Sequence, residues 1–344
     1  MTVKTPWYEC DSRFIAAHYQ PAALIDLALS REVDSHRLLR GTGLFHDDIL
    51  AGQVRISPQQ FIRLIDNTRR ELDADDTSFL FGQRLLPGHY GAASHALRHA
   101  STLFEALSLL VCQRALLSPL LAPRLLVDEQ HAYLYWLDAC GSGEQRRFLV
   151  EMSMTALSAT SRWLSGERLP WQFQFSHAQP RYIEQYWVNL GEAVQFERQL
   201  DVMRIPREYL HRPWPLASAT AGQVARQQSH AQLVELGVHA SLLDRLYAHL
   251  QANIRKPLNL DAVAQAFEMS PATLKRKLQK HGTHFQEQLD LVRKHVALYL
   301  YQVKGYNNEE VAAYLHFHDT TNFRRSFKRW TGFSPSTLLQ VLGS

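Results

Sequence analysis

The sequence predicts two fold classes in one chain: an α+β domain over residues 1–210 and an all-α domain over residues 239–344, in which two helix-turn-helix units are joined by one long helix. Three observations carry this expectation. The C-terminal third holds one pattern twice, at residues 259–279 and 307–329. Between the copies, Phe285, Leu289, Val292, Val296, Leu300 and Val303 recur at three- and four-residue steps through a stretch without Pro or Gly, the signature of one continuous helix. In the first 210 residues, helical periodicity alternates with the two-residue periodicity of strands.

Taken in order, apolar spacing and capping residues predict helices over 22–29, 35–41, 57–72, 77–85, 91–100 and 102–117. Ser57 followed by Pro58 is the clearest start, because a capping hydroxyl precedes a residue whose missing N–H costs nothing at the first helical position. The pattern then changes. Residues 124–128 and 131–138 read as a hairpin, 144–164 as a helix, and 171–176 and 202–205 as further strands. Residues 211–238, rich in Ala, Gln and Ser, read as a connector, part helical and part flexible.

The two C-terminal copies follow from local rules. In the first, Asn259 is a good N-cap, Asp261 suits the positive end of the helix dipole, and Leu260, Val263, Ala264 and Phe267 form the inner stripe. A turn at Glu268-Met269-Ser270 follows, and Ser270 caps a second helix with Pro271 at its first position. Leu274 and Leu278 face inward there, leaving Ala272, Lys275, Arg276, Gln279 and Lys280 outside. The second copy repeats this with Asn307 as cap, Glu309 and Glu310 in the first turn, and Val311, Ala312 and Leu315 inside. Phe317 plugs the turn at 316–318, and Asp319 caps a helix with Phe323, Phe327 and Trp330 inside. Thr320, Thr321, Asn322, Arg325, Lys328 and Arg329 face outward. Hydroxyl, amide and guanidinium groups are what base edges and phosphates accept, and a rigid spacer would let both units enter successive major-groove faces of one duplex. The pattern implies sequence-specific binding of double-stranded DNA.

At these residues the chain resembles the DNA-binding domain of the AraC/XylS family of bacterial transcription regulators. The resemblance covers about residues 239–344 and rests on 258–267, Ser270-Pro-Ala-Thr-Leu-Lys-Arg-Lys-Leu278, Gly282-Thr-His-Phe285, Val292-Arg293, Glu310-Val311-Ala312, Phe323-Arg-Arg-Ser-Phe-Lys-Arg-Trp330 and Thr331-Gly-Phe-Ser-Pro335. It implies base reading at Ala272, Lys275 and Arg276 in the first unit and at Thr320, Thr321, Asn322 and Arg325 in the second. Gln279, Lys280, Lys328 and Arg329 lie further along the same faces as candidates for phosphate contact. The chain departs from the family twice: His316 stands where glycine is usual, and Thr320 where proline is favoured. His is comparatively tolerant of positive φ, which keeps the turn accessible. Residues 82–93, 102–107, 169–180, 194–196 and 210–216 resemble the arabinose-binding-type N-terminal domain of one branch of these regulators. That implies an effector-sensing or dimerising domain, not arabinose itself, and by family habit an activator acting with RNA polymerase.

Charge agrees with this division. Residues 239–344 hold 14 Lys and Arg against 8 Asp and Glu, net +6, while the remaining 23 against 25 leave net −2 upstream. The 344 residues, 46% hydrophobic, suffice for a core in each of two domains. No apolar run approaches bilayer-spanning length, and the first nine residues lack a signal-peptide core. Cys10, Cys112 and Cys140 are odd in number and far apart, which points to a reducing cytoplasm.

Other constellations have plainer readings. His95 and His99 share a helix face at i, i+4, but no third ligand is in register, so neither metal nor cofactor is expected. Ser142, in Gly141-Ser-Gly143, lacks the nucleophile elbow, and no phosphate-cradling glycine loop occurs. Trp163, Trp171, Tyr182, Tyr186 and Trp187 are either the lining of a pocket for a small apolar effector or simply core. The alternatives to a ligand-controlled regulator are a partner-docking regulator, with an exposed apolar patch, and an enzyme domain on a DNA-binding tail, with titratable groups converging in a cleft.

Overall fold

The computed structural model describes residues 7–85 and 91–338. The sequence readings at 1–6, at 86–90 within the stretch 82–93, and at 339–344 lie outside the described residues. The chain forms two compact units, the first ending at Leu242 and the second beginning at Leu243.

The first unit opens with a short ladder of β1 (Ile15–Ala16) on β2 (Arg55–Ile56), which brackets α1 (Gln20–Leu29), α2 (Ser35–Leu39) and α3 (His46–Leu50). Next comes α4 (Pro58–Leu72), started by a complete capping box: Ser57 accepts from the Gln60 N–H while the Gln60 side chain accepts from the Ser57 N–H. Then follow α5 (Thr77–Leu85), α6 (Ala92–Arg98), α7 (Leu103–Cys112) and α8 (Arg114–Leu117). The single helix expected over 102–117 is broken. Gln113 leaves helical geometry at φ −108° and ψ 28°, and the change of direction lets Leu109 and Leu110 before the break and Ala115 and Leu117 after it all reach the core.

The hairpin β3 (Leu121–Val127) and β4 (His131–Asp138) leads into α9 (Arg146–Ser165), β5 (Gln172–Gln174), α10 (Ile183–Asn189), β6 (Val194–Gln195) and β7 (Val202–Pro206). The sheet order is β3-β4-β7-β5-β6, antiparallel throughout except for the β5–β6 edge. β4 shows the alternation that predicted it, with Ala132, Leu134 and Trp136 buried. α5 packs closely on α9 because Gly82 has no side chain: a Cβ there would stand 2.5 Å from the Met152 carbonyl oxygen. In this unit β1, β2, α3, α10 and β6 escaped the sequence reading. α3 and α10 each bury one large side chain, Ile49 and Tyr186, too few to show a period.

Within residues 211–238 lies one 18-residue helix, α11 (Ala219–Leu236), capped by Ser218. It packs on α6 through a stripe of small residues, Gly222, Ala225 and Ser229, with Leu233 beyond them. A Cβ on Gly222 would lie 3.2 Å from the His99 carbonyl oxygen. Arg226 pairs with Glu105 of α7.

The second unit is helical: α12 (Leu242–Ala252), α13 (Leu260–Ala266), α14 (Pro271–Lys280), α15 (Phe285–Gln302), α16 (Asn308–Tyr314) and α17 (Thr320–Thr331). Buried in it are Val263, Leu274 and Leu278 of the first helix pair, Leu289, Val292 and Leu300 of α15, and Val311, Phe323 and Phe327 of the second pair. α15 is buried on more than its expected stripe. His295 is also inside, its Nδ1 2.9 Å from the Tyr247 hydroxyl of α12.

Candidate nucleic-acid interface

Both helix pairs are built the same way. Asn259 accepts from the Ala262 N–H and Ser270 from the Thr273 N–H; Asn307 makes a full capping box with Glu310, and Asp319 accepts from the Asn322 N–H. Each such cap contributes about 1 kcal/mol. In the turns, Glu268 at φ 54° and His316 at φ 61° occupy the left-handed region, and the next residue's N–H reaches back to a helix carbonyl, Met269 to Ala264 and Phe317 to Ala312. His316 thus takes the conformation for which glycine is usual. Phe317, half-buried, packs against Phe323 and Trp330, with the Arg293 guanidinium 5.2 Å over its ring. Burial lowers the Arg293 pKa, with Asp290 opposing the shift and Arg329 adding to it.

These turns present α14 and α17 with one face anchored and one face free. Leu274, Leu278, Phe323 and Phe327 are fully buried. Ala272, Lys275, Arg276 and Gln279 fall at i, i+3, i+4 and i+7, all exposed, with Lys280 exposed beside them. On α17, Thr321, Asn322, Arg325, Lys328 and Arg329 are exposed and Thr320 is half-buried at the first turn. Neither helix contains an acidic residue. Asn322 Nδ2 donates to Asp319 at 2.7 Å, and Arg329 Nη2 to Asp290 of α15 at 3.0 Å. The Arg329–Asp290 pair joins residues far apart in sequence, so no local pattern could have shown it.

The five aromatic candidates of the first unit are not brought together around one pocket. Trp163 and Trp187 lie at the surface, 42% and 46% exposed, with the Arg98 guanidinium 5.8 Å over the Trp163 ring. Trp171 is core and donates its Nε1–H to Ser161 Oγ at 3.1 Å. Tyr182 and Tyr186 converge instead on the buried carboxylate of Glu151, which sequence reasoning missed because only packing reveals it. Burial, followed by the Glu151 charge, pushes both phenols above their ordinary pKa. Ser142 belongs to a turn in which Asp138 accepts from the Cys140, Gly141 and Ser142 N–H groups and from the Ser142 hydroxyl. Among the described residues, no three His, Cys, Asp or Glu side chains gather as a metal site. No helix there is long and apolar enough to cross a membrane.

Residues 33–214 match the arabinose-binding domain of AraC transcription regulators, and residues 263–340 match a helix-turn-helix domain family. The chain is 29% identical to the ornithine utilization regulator of Pseudomonas aeruginosa over 315 residues, covering 91% of this chain and 93% of that one. It is 26% identical to the transcriptional regulator VirS of Mycobacterium tuberculosis over 287 residues, 80% of this chain and 82% of the relative. Among solved structures, the transcriptional regulator CdpR of Pseudomonas aeruginosa aligns over 93% of this chain and 98% of its own, at 19% identity and a TM-score of 0.45. The chain belongs to the AraC family of transcription regulators, an N-terminal α+β domain followed by a helix-turn-helix DNA-binding domain.

Proposed function

We propose that this regulator reads DNA with both helix pairs of its second unit, held apart by α15, and activates transcription in the cytoplasm through contact with RNA polymerase. The observation that carries this reading is the pair of acid-free helices α14 and α17, each anchored by fully buried inner residues under an exposed polar and basic face. Ala272, Lys275, Arg276, Thr320, Thr321, Asn322 and Arg325 read bases; Gln279, Lys280, Lys328 and Arg329 hold phosphates. The 18 residues of α15 span about 27 Å, comparable to the roughly 34 Å between successive major-groove faces.

Residues 1–210 sense a small molecule or form a dimer contact, and either event changes how residues 239–344 meet DNA. Likeness to the ornithine utilization regulator across both units supports a metabolite as input. Selection of binding sites from random duplex DNA, then footprinting of the winners, tests the double reading. Two protected major-groove segments on one face, about one helical turn apart, are expected. A single protected segment would make α17 structural, and the absence of any consensus would overturn the assignment.

A further inference from the structure

The spacer helix α15 carries a carboxylate to the edge of α17. Asp290, its side chain only 18% exposed, accepts from Gln286 Nε2 at 2.8 Å on one oxygen and from Arg329 Nη2 at 3.0 Å on the other. Gln286 stands one turn earlier on the same helix, so the carboxylate is fixed from its own side. Arg329, its side chain 63% exposed, meets it with one nitrogen of a guanidinium that has five donors in a rigid fork. The rest of the fork is left for a second acceptor.

The pair contributes little to holding the fold together. Further along α15, Tyr301 already anchors α17, with its ring 6.5 Å from that of Phe323 and 5.6 Å from that of Phe327. An ion pair with one partner this exposed adds little to stability. What the pair does decide is where the guanidinium stands. An unpaired arginine samples many rotamers, and immobilising one on a phosphate weakens binding by roughly two- to tenfold. Held by Asp290, Arg329 is ordered before DNA arrives.

The local charges fit this arrangement. Arg293, one turn beyond Asp290 on α15, lies over the Phe317 ring. Burial disfavours the charge on Arg293, Asp290 favours it, and Arg329 opposes it again. One carboxylate serving two arginines leaves this edge net positive, so Asp290 does not turn a phosphate away. With Arg329 removed, the same carboxylate would lose a counter-charge on the face offered to DNA.

We propose that Asp290 is a positioning residue for DNA binding, holding the Arg329 guanidinium in place for a backbone phosphate beside the groove that α17 enters. The proposal deepens the phosphate role given above to Arg329 and rests on it. The test uses the full chain and a duplex taken from the random-pool selection, titrated at several salt concentrations. Asp290→Asn, Arg329→Ala and the double variant are compared with the native chain. Urea unfolding checks that each folds, and Asp290→Ser replaces Asp290→Asn if the latter does not.

Asp290→Asn keeps the size of the side chain and removes its charge, and should weaken binding roughly two- to tenfold. Arg329→Ala should weaken binding and lower the salt slope by about one. In the Arg329→Ala background, Asp290→Asn should leave affinity equal or tighter, because no guanidinium remains to be positioned and a facing negative charge is removed. A comparable loss in both backgrounds would make Asp290 merely structural, and tighter binding by Asp290→Asn alone would make it a restraint on Arg329; either result overturns the proposal. Native affinity in Asp290→Asn overturns the positioning role and leaves the phosphate contact standing. Native affinity and salt slope in Arg329→Ala overturn the phosphate reading itself.

Discussion

Arg276 and Arg325 occupy equivalent places, each two residues after a fully buried anchor, Leu274 and Phe323, and each on the exposed face of its helix. If each grips a guanine edge with two donors, Arg276→Ala and Arg325→Ala should each cost about 1–3 kcal/mol of specific binding and relax preference at its own base pairs. Repeating the random-DNA selection with each variant checks this; unchanged consensus in both would remove them from the reading set. These positions were legible in the sequence because a 3.6-residue period with four good caps determines which side of α14 and α17 faces out. Their internal partners were not. Asp290 beneath Arg329, and Glu151 beneath Tyr182 and Tyr186, are contacts across many residues of chain, and no local spacing encodes them.

At the level of elements, two contacts decide how helices meet. In α5, Gly82 lets α9 approach until a Cβ would stand 2.5 Å from the Met152 carbonyl oxygen and 2.9 Å from Thr155 Cβ. Alanine is the better helix former by roughly 1 kcal/mol, yet Gly82→Ala should destabilise the protein by about 1–3 kcal/mol, because the obstacle is backbone that cannot rotate away. Urea unfolding reads this, and an unchanged or raised midpoint would show that α5 and α9 separate at little cost.

The second contact is Glu105 of α7 with Arg226 of α11. Burial raises the Glu105 pKa, but hydrogen bonds from Ser101 and the Arg226 charge outweigh it and hold the carboxyl below its ordinary range. A depressed folded pKa means that the stabilisation is complete above the unfolded value of about 4.3 and is lost as pH falls through the lower folded value. The difference in stability between the native chain and Arg226→Ala should therefore be constant near neutrality and shrink toward zero in acid. A difference that persists in acid would assign the contact to packing of the arginine stem.

At the scale of the whole molecule, two units of different composition divide the work: a C-terminal stretch of net +6 and an upstream part of net −2. Coupling between them has one firm requirement. An effector shifts DNA binding only by its difference in affinity for the two DNA-binding states, and the effect is reciprocal. Calorimetry with and without selected DNA should thus show ligand affinity changing by the same factor by which ligand changes DNA affinity. Equal ligand affinity in both conditions would leave the first unit an assembly domain.

The sequence by itself determined the helix-turn-helix pattern and its outer faces, the strand alternation of β4, the capped start of α4 and the family. These depend on residues within a few positions of one another, where periodicity and capping act. Only the tertiary structure decided that residues 102–117 form two helices, that residues 219–236 form a helix packed on α6, and that Tyr182 and Tyr186 meet on Glu151 while Trp163, Trp171 and Trp187 lie apart from them. Each of these turns on which distant side chain is available to bury a leucine, oppose a glycine or receive a hydrogen bond. That choice is made by packing, not by local propensity.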